Sequence, residues 1–364
     1  MEDSDKILLP TETGARIRDI AEISEKGICV VFGAGASFGY SNDSSVATPP
    51  IVAHLFDDDN PIVHEVINTK KHAFIKGQRA HITRRLGQFN NDLEAYLTDL
   101  YKKDINNNTF SYLLLYLQDI FAVASKFVDF NDNNYQSLIN ILADWRGTKP
   151  WSLLSFNYDT ILEQSFLDRF IPKRQFSDKE NYIGPYPKVL KIHGGVNFRY
   201  LVRKPFTDQP LTHHEVFTKM MGEVDCNEDI LVPGSETPEI IKTVNWQGGL
   251  VREYNFPLMM VPIHGSIDPK NSFFKSQIEL AKKEMSQADL VISIGYNFGD
   301  ELFINALKTG GAGNNELILV GHDPLLEDTT NHVSYLNAKK VWHDDRIHIF
   351  GDSGFRKFIE ALYL

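Results

Sequence analysis

Apolar residues recur along this chain in two rhythms. Short apolar runs appear at ICVVF (28–32), which is continuous, at WSLLSF (151–156) and KVLKIHG (188–194), and again within ADLVISIGYNFGDELFINAL, NELILVGHDPL and RIHIF. Aliphatic runs of this length predict parallel strands buried on both faces. The second rhythm is helical. Residues 13–26 (TGARIRDIAEISEK) repeat apolar positions at helical spacing, and Gly27 is read as the glycine that ends the helix. TPPIVAHLF (48–56) opens with prolines suited to a helix start. From about 60 to 150 the segments LEAYLTDLYKKD, FSYLLLYLQDIFAVASKFV and YQSLINILADW predict a helical insertion, and 199–256 shows no clear period and is read as an irregular insertion. GFRKFIEALYL closes the chain with an amphipathic helix. Strands alternating with helices predict one α/β domain over 1–364, built on a doubly wound, mostly parallel sheet.

Composition narrows the classes. The chain has 364 residues with 42% hydrophobic and 23% charged, enough to bury a substantial core. No apolar stretch approaches the roughly 18 residues of a membrane helix. The amino-terminal MEDSDKILLPTETG lacks the basic-then-apolar layout of a secretion signal, so a cytoplasmic protein with no membrane partner is expected. The net charge is −11, and the basic clusters at 70–85 and 198–205 read as solvated faces or anionic-ligand neighbourhoods, so direct nucleic-acid binding is not expected. Two cysteines, Cys29 and Cys226, cannot build a paired Cys-x-x-Cys zinc site. THHE (212–215) and HDD (343–345) lack paired ligand spacing, and no metal is expected.

Candidate chemistry gathers at strand ends. After ICVVF comes GAGAS (33–37), whose small residues allow a tight turn and close approach to the backbone. A strand, a glycine turn and a helix start together form a natural phosphate site. Tight strand–helix packing without ligand accounts for the same residues equally well. SFNYD (155–159), KIHGG (191–195) and IGYNFGD (294–300) also follow predicted strands, where open α/β sheets place their ligands. Asn157 offers both a donor and an acceptor without charge. His193 can take up a proton near neutral pH. Simple structural roles, Asn157 as a helix cap and His193 as a core histidine, remain open.

Taken in order, GAGAS, SFNYD, KIHG and IGYNFGD resemble the sirtuin superfamily, and within it the sirtuin-like NAD-consuming domains of bacterial anti-phage defence systems. The resemblance implies a Rossmann-like sheet with the helical insertion in place of the sirtuin zinc module. It covers about residues 13–330, without the two insertions. It implies that Asn157 and His193 are the catalytic pair, and that Gly33, Ala34, Gly35, Ala36 and Ser37 surround the pyrophosphate of NAD. Gly295, Tyr296 and Asn297 would flank a phosphate or the adenosine ribose, Asp159 would fix a loop or a ribose hydroxyl, and Asp323 would reach the adenosine half. His264, in a second His-Gly pair (VPIHGSIDPK), is expected to line the pocket mouth or to pack. Phe156 stands where protein-deacylating sirtuins carry glutamine. Together with the missing zinc cysteines, this departure points away from peptide deacylation.

The implied function is an NAD glycohydrolase, releasing nicotinamide and ADP-ribose in anti-phage defence by NAD depletion. NAD would be its substrate, with activation through homo-oligomerisation or a partner such as a HerA-type hexameric ATPase. Two alternatives stand beside it. One is an NAD-dependent ADP-ribosyltransferase or deacylase; the other is a non-catalytic nucleotide-binding subunit that scaffolds an ATPase complex.

Overall fold

The computed structural model describes residues 7–41, 47–90, 92–103, 109–128, 133–166, 182, 184, 187–205, 229–231, 242–246, 249–259, 272–321, 333–350 and 354–364. In chain order the strands are β1 (Ile7–Leu8), β2 (Gly27–Phe32), β3 (Trp151–Ser155), β4 (Lys188–Lys191), β5 (Gly194–Pro205), β6 (Asp229–Leu231), β7 (Lys242–Trp246), β8 (Gly249–Met259), β9 (Ala288–Ile294), β10 (Glu316–Val320) and β11 (Ile347–Phe350). The helices are α1 (Pro10–Ile23), α2 (Ala34–Phe38), α3 (Pro61–Ile67), α4 (Ala73–Gly87), α5 (Leu93–Lys103), α6 (Thr109–Ala124), α7 (Asn134–Arg146), α8 (Ile161–Gln164), α9 (Ser272–Gln287), α10 (Glu301–Gly310), α11 (Val333–Ala338) and α12 (Gly354–Leu362).

The chain forms two compact units. The first comprises Met1–Thr48, Val128–His193 and Ser272–Leu364, and the second Pro49–Phe127 and Gly194–Asn271. The expected helical insertion is therefore divided: α3 to α6 belong to the second unit, whereas α7 belongs to the first.

The first unit holds a seven-stranded sheet in the order β1-β11-β10-β9-β2-β3-β4, with every pairing parallel. The order reverses direction across β2, as a doubly wound, Rossmann-like sheet requires. Alternation along β2 divides the core between two faces. Cys29 and Val31 join a cluster with Ile278 and Ala281 of α9 and Phe303 and Leu307 of α10. Phe32 meets Tyr135 of α7 and Phe355 of α12 on the opposite face, with ring centroids 4.9 and 6.1 Å away. The buried Cys29 thiol is pushed up to about 12 by loss of solvation, which makes it an inert core group.

Three local expectations are corrected. The first helix begins at Pro10, where proline needs no hydrogen-bond partner and the Glu12 carboxylate accepts the Leu9 N–H at 3.1 Å. It ends at a Ser24 cap in extended conformation, and Gly27 opens β2 instead of closing the helix. TPPIVAHLF supplies only a 3-10 turn at Val52–His54, because consecutive prolines at 49 and 50 force the preceding residues into extended conformation. The described residues of the span 199–256 are strands, not irregular chain. The span carries β6, β7 and much of β5 and β8, which form an antiparallel sheet of order β6-β5-β8-β7 in the second unit. A register shift between Gly195 and Arg199 puts β5 out of step with a period of two, which hides the strand from a pattern search.

Candidate active site

Parallel pairing places the carboxyl ends of five strands in one row. Phe32 of β2 is level with Ser155 of β3 and Ile294 of β9, Ser155 with Lys191 of β4, and Ile294 with Val320 of β10. The ladder continues one residue further, through Gly33 N–H to the Ile294 carbonyl, Phe156 N–H to Phe32, Ile192 N–H to Ser155 and Gly295 N–H to Val320, all at 3.0 Å. The turns after β2, β3, β4 and β9, each singled out in the sequence, thus leave the sheet side by side.

The glycine turn packs against its neighbour. A Cβ on Gly33 would come within 2.6 Å of the Tyr296 Cα, and one on Gly295, whose φ is +61°, within 2.6 Å of Gly35. Gly35 N–H donates to the Gly295 carbonyl at 3.2 Å. These glycines bring two turns into backbone contact. Ala34 is exposed, Ala36 lies in the core, and Ser37 is buried. On the outer side of the same turns a cavity of about 220 Å³ is lined by Gly35, Gly39, Ser41, Gly295 and Gly321, with Gly354 and Arg356 from α12. Dinucleotide sites are usually larger, on the order of 300–1,000 Å³. This cavity suits one phosphate or one ribose.

Asn157 and His193 occupy two distinct hydrogen-bonded sets. The Asn157 Nδ2 donates to the Gly33 carbonyl at 2.9 Å, to Ser37 Oγ at 2.8 Å and to Tyr135 OH at 3.3 Å. A carbonyl can only accept, so the amide orientation is fixed by chemistry. Tyr135 OH and Ser37 Oγ are themselves 3.0 Å apart. Burial, reinforced by the nearby Asp159 charge, raises the Tyr135 phenol well above its ordinary value against the pull of its hydrogen bonds to Ser37 and Asn157, so it stays neutral. Asn157 N–H donates to Ser155 Oγ at 3.2 Å, which pins the backbone as well.

His193, 5% exposed, places Nε2 2.8 Å from Asp300 Oδ2. Asp300 caps α10, its Oδ1 accepting the Phe303 N–H at 3.0 Å. Burial would raise the Asp300 carboxyl, but the hydrogen bond and charge of His193 and the backbone N–H groups of Phe303 and Leu302 outweigh it and hold the group below the ordinary carboxylate range. An ionised carboxylate can only accept, so His193 carries its proton on Nε2. Among the described residues no hydrogen bond reaches Nδ1, and in the neutral imidazole that nitrogen is the one left with a lone pair. Phe156 stacks on Tyr296 at 4.0 Å and stands perpendicular to the His193 ring at 5.0 Å, while Tyr158 lies 6.0 Å from the imidazole. Phe156 therefore walls the histidine with apolar surface.

The remaining candidates fall in different places. Asp159 is 2% exposed and its Oδ1 accepts the Ile161 N–H at 3.1 Å, organising the start of α8. Its carbonyl accepts from the fully buried Lys191 Nζ at 2.6 Å. Asn297 is exposed; its Oδ1 accepts the Gly299 N–H at 3.0 Å, and its carbonyl accepts from Asn337 Nδ2 at 2.9 Å. Asp323, His264 and the THHE tract lie outside the described residues. Among the described residues, no group of three or more His, Cys, Asp or Glu side chains is arranged to hold a metal ion, and no helix is long and apolar enough to cross a membrane. Asp300 closes the IGYNFGD motif, but the sequence assigned it no role. Its position before an amphipathic helix marks it as a cap, but nothing local announces its partnership with a histidine 107 residues earlier.

Among solved structures, the chain is similar to a mutant Sir2 homologue in complex with ADP-ribose, at 13% identity over 96% of this chain and 94% of that one, with a TM-score of 0.44. It is similar to a Sir2 homologue–NAD complex at 13% identity over 96% and 92% of the two chains, with a TM-score of 0.42. Sir2Tm bound to a propionylated peptide matches at 12% identity over 96% and 97%, with a TM-score of 0.39. No family model and no curated protein matches the sequence.

Proposed function

We propose that this chain is an NAD glycohydrolase of the sirtuin-like kind, acting in anti-phage defence by depleting NAD. The observation that carries the reading is the shared row of strand ends, which puts GAGAS, SFNYD, KIHG and IGYNFGD on one edge of a doubly wound sheet. The pyrophosphate is assigned to the Gly35–Gly295 side, with Asp323 toward the adenosine half, and the nicotinamide ribose to the side of Asn157 and His193. In the reaction the bond between ribose C1′ and the pyridinium nitrogen breaks, and its electron pair stays on nicotinamide. Water attacks C1′ of an oxocarbenium-like ribose. His193 Nδ1 takes the water proton and returns it to solvent. Asn157, its amide N–H groups committed to Gly33, Ser37 and Tyr135, offers Oδ1 as a fixed acceptor for a ribose hydroxyl or for the water.

A second reading has its own support. The Asn157 amide and the Asp159 carboxylate both serve the local architecture, as a nucleotide-binding subunit without cleavage would require. Incubating the purified chain with NAD, alone and with a HerA-type ATPase or in its self-associated form, and measuring nicotinamide separates the two. Nicotinamide and free ADP-ribose are expected in equal amounts, with loss of about 10²–10⁴-fold in His193→Ala. Label retained on protein would indicate ADP-ribosyl transfer, and consumption of an acyl-peptide would indicate deacylation. NAD binding without nicotinamide in any of these conditions would overturn the enzyme.

A further inference from the structure

We infer that Asp300 is a positioning residue that fixes His193 in the tautomer with a free Nδ1, so that the two form a carboxylate–imidazole dyad across the ends of β4 and α10. The inference rests on the cleavage reading for its kinetic consequence, but its geometric content stands apart from it.

Two roles meet in one carboxylate. Oδ1 accepts the Phe303 N–H and so anchors the group to the first turn of α10. That contact leaves Oδ2 aimed at His193 Nε2 at 2.8 Å, with both side chains less than a tenth exposed. The rings of Phe156 and Tyr158 also lie beside the imidazole. Rings at those distances restrict the imidazole but cannot choose which nitrogen bears the proton. The carboxylate makes that choice, because it accepts and never donates. The histidine of a base needs such an orienting partner, and the same division of labour governs Ser-His-Asp triads.

Asp300→Asn tests this cleanly. The cap requires an acceptor toward Phe303 N–H, so the asparagine keeps Oδ1 there and turns its NH₂ toward His193. A donor facing Nε2 forces that nitrogen to accept, and the proton moves to Nδ1. Helix and fold survive, and only the tautomer inverts. Imidazole ¹⁵N shifts of His193 in the whole protein are expected to report Nε2–H in the wild type and Nδ1–H in Asp300→Asn. The kcat for nicotinamide release is expected to fall about 10²–10⁴-fold, the usual contribution of a positioned general base, with the roughly 10⁴-fold loss of the same exchange in a Ser-His-Asp triad as its upper end. Affinity for NAD should change less than about threefold. A wild-type imidazole already protonated on Nδ1, or an Asp300→Asn variant with unchanged ¹⁵N shifts, would overturn the dyad. So would a kcat retained within about threefold in a wild type that cleaves NAD. Should the wild type release no nicotinamide while the tautomer still switches, the orienting role of Asp300 is upheld and the cleavage reading alone falls.

Discussion

At the scale of the residue, each candidate is defined by the atoms it has already committed. Asn157 spends its amide hydrogens on Gly33, Ser37 and Tyr135, which leaves one oxygen for outside work. Asp159 spends its carboxylate on the α8 backbone. The order of motifs marks Asn157 and His193 as candidates, and GAGAS itself supplies two of the Asn157 acceptors, but Tyr135 and Asp300, which complete the two sets, bear no local signature of that role. A pH prediction belongs here. The Asp300 carboxyl sits below its unfolded value of about 3.9, so the folded state binds this proton less readily than the unfolded chain does. Its contribution to stability is therefore fully present above about pH 4 and is lost as pH falls through the lower, folded value. Urea unfolding of wild type and Asp300→Asn at pH 7 and near pH 3 should show a wild-type advantage that shrinks on acidification. An advantage that stays constant or grows would contradict the ionised dyad.

At the scale of the element, strands buried on both faces could be read from sequence because burial leaves only one solution for an aliphatic run. Predicted ICVVF, WSLLSF and KVLKIHG meet β2, β3 and β4 within two or three residues at each end. Elements whose pattern is set by partners escaped: β1 is only two residues long, and β5 carries a register shift. Arg146, in the last turn of α7, is another case. Its guanidinium donates to the carbonyls of Ala21, Ser24, Lys26 and Pro150 at 2.5–2.9 Å, joining the connections that lead into β2 and β3. No spacing rule finds an arginine that binds main chain from a distance. The residues of GAGAS fit either a phosphate or tight packing alone, and in the fold its glycines satisfy a contact between neighbouring turns. Gly295→Ala, with φ +61° and backbone within 2.6 Å, is expected to cost about 2–4 kcal/mol by urea denaturation. Gly77→Ala, within α4 and with nothing within 4 Å of the added methyl, should instead stabilise by about 0.5–1 kcal/mol. Equal effects at the two sites would mean that the turn contact is not tight.

At the scale of the whole molecule, the parallel topology turns sequence distance into proximity. Gly33, Phe156, Ile192, Gly295 and Gly321 come from segments separated by two inserted stretches, yet they share one edge of one sheet. Order of motifs along the chain revealed that they belong together; only the register shows how, since a slip by one residue in β3 would turn Asn157 to the opposite face. A ligand lying along that edge binds turns that exist as a set only in the folded state, so it must stabilise the fold by RT ln(1 + [L]/Kd), about 2.7 kcal/mol at a hundredfold excess over Kd. ADP-ribose suits the measurement because it is not consumed. Its thermal shift should grow by about 1.4 kcal/mol for each tenfold rise in concentration well above Kd, which is several degrees in Tm for a folded unit of this size. The net charge of −11 opposes an anionic ligand at long range, so the titration belongs at about 0.15 M salt, where the screening length is roughly 8 Å. Filling the turn cavity with Gly35→Val, which crowds Gly295 as well, should abolish the shift, whereas His193→Ala should preserve most of it, because His193 does not line the cavity to which the phosphates are assigned under the proposed function. No shift in the wild type at millimolar ADP-ribose and NAD would remove the nucleotide from this edge, however well the motifs align.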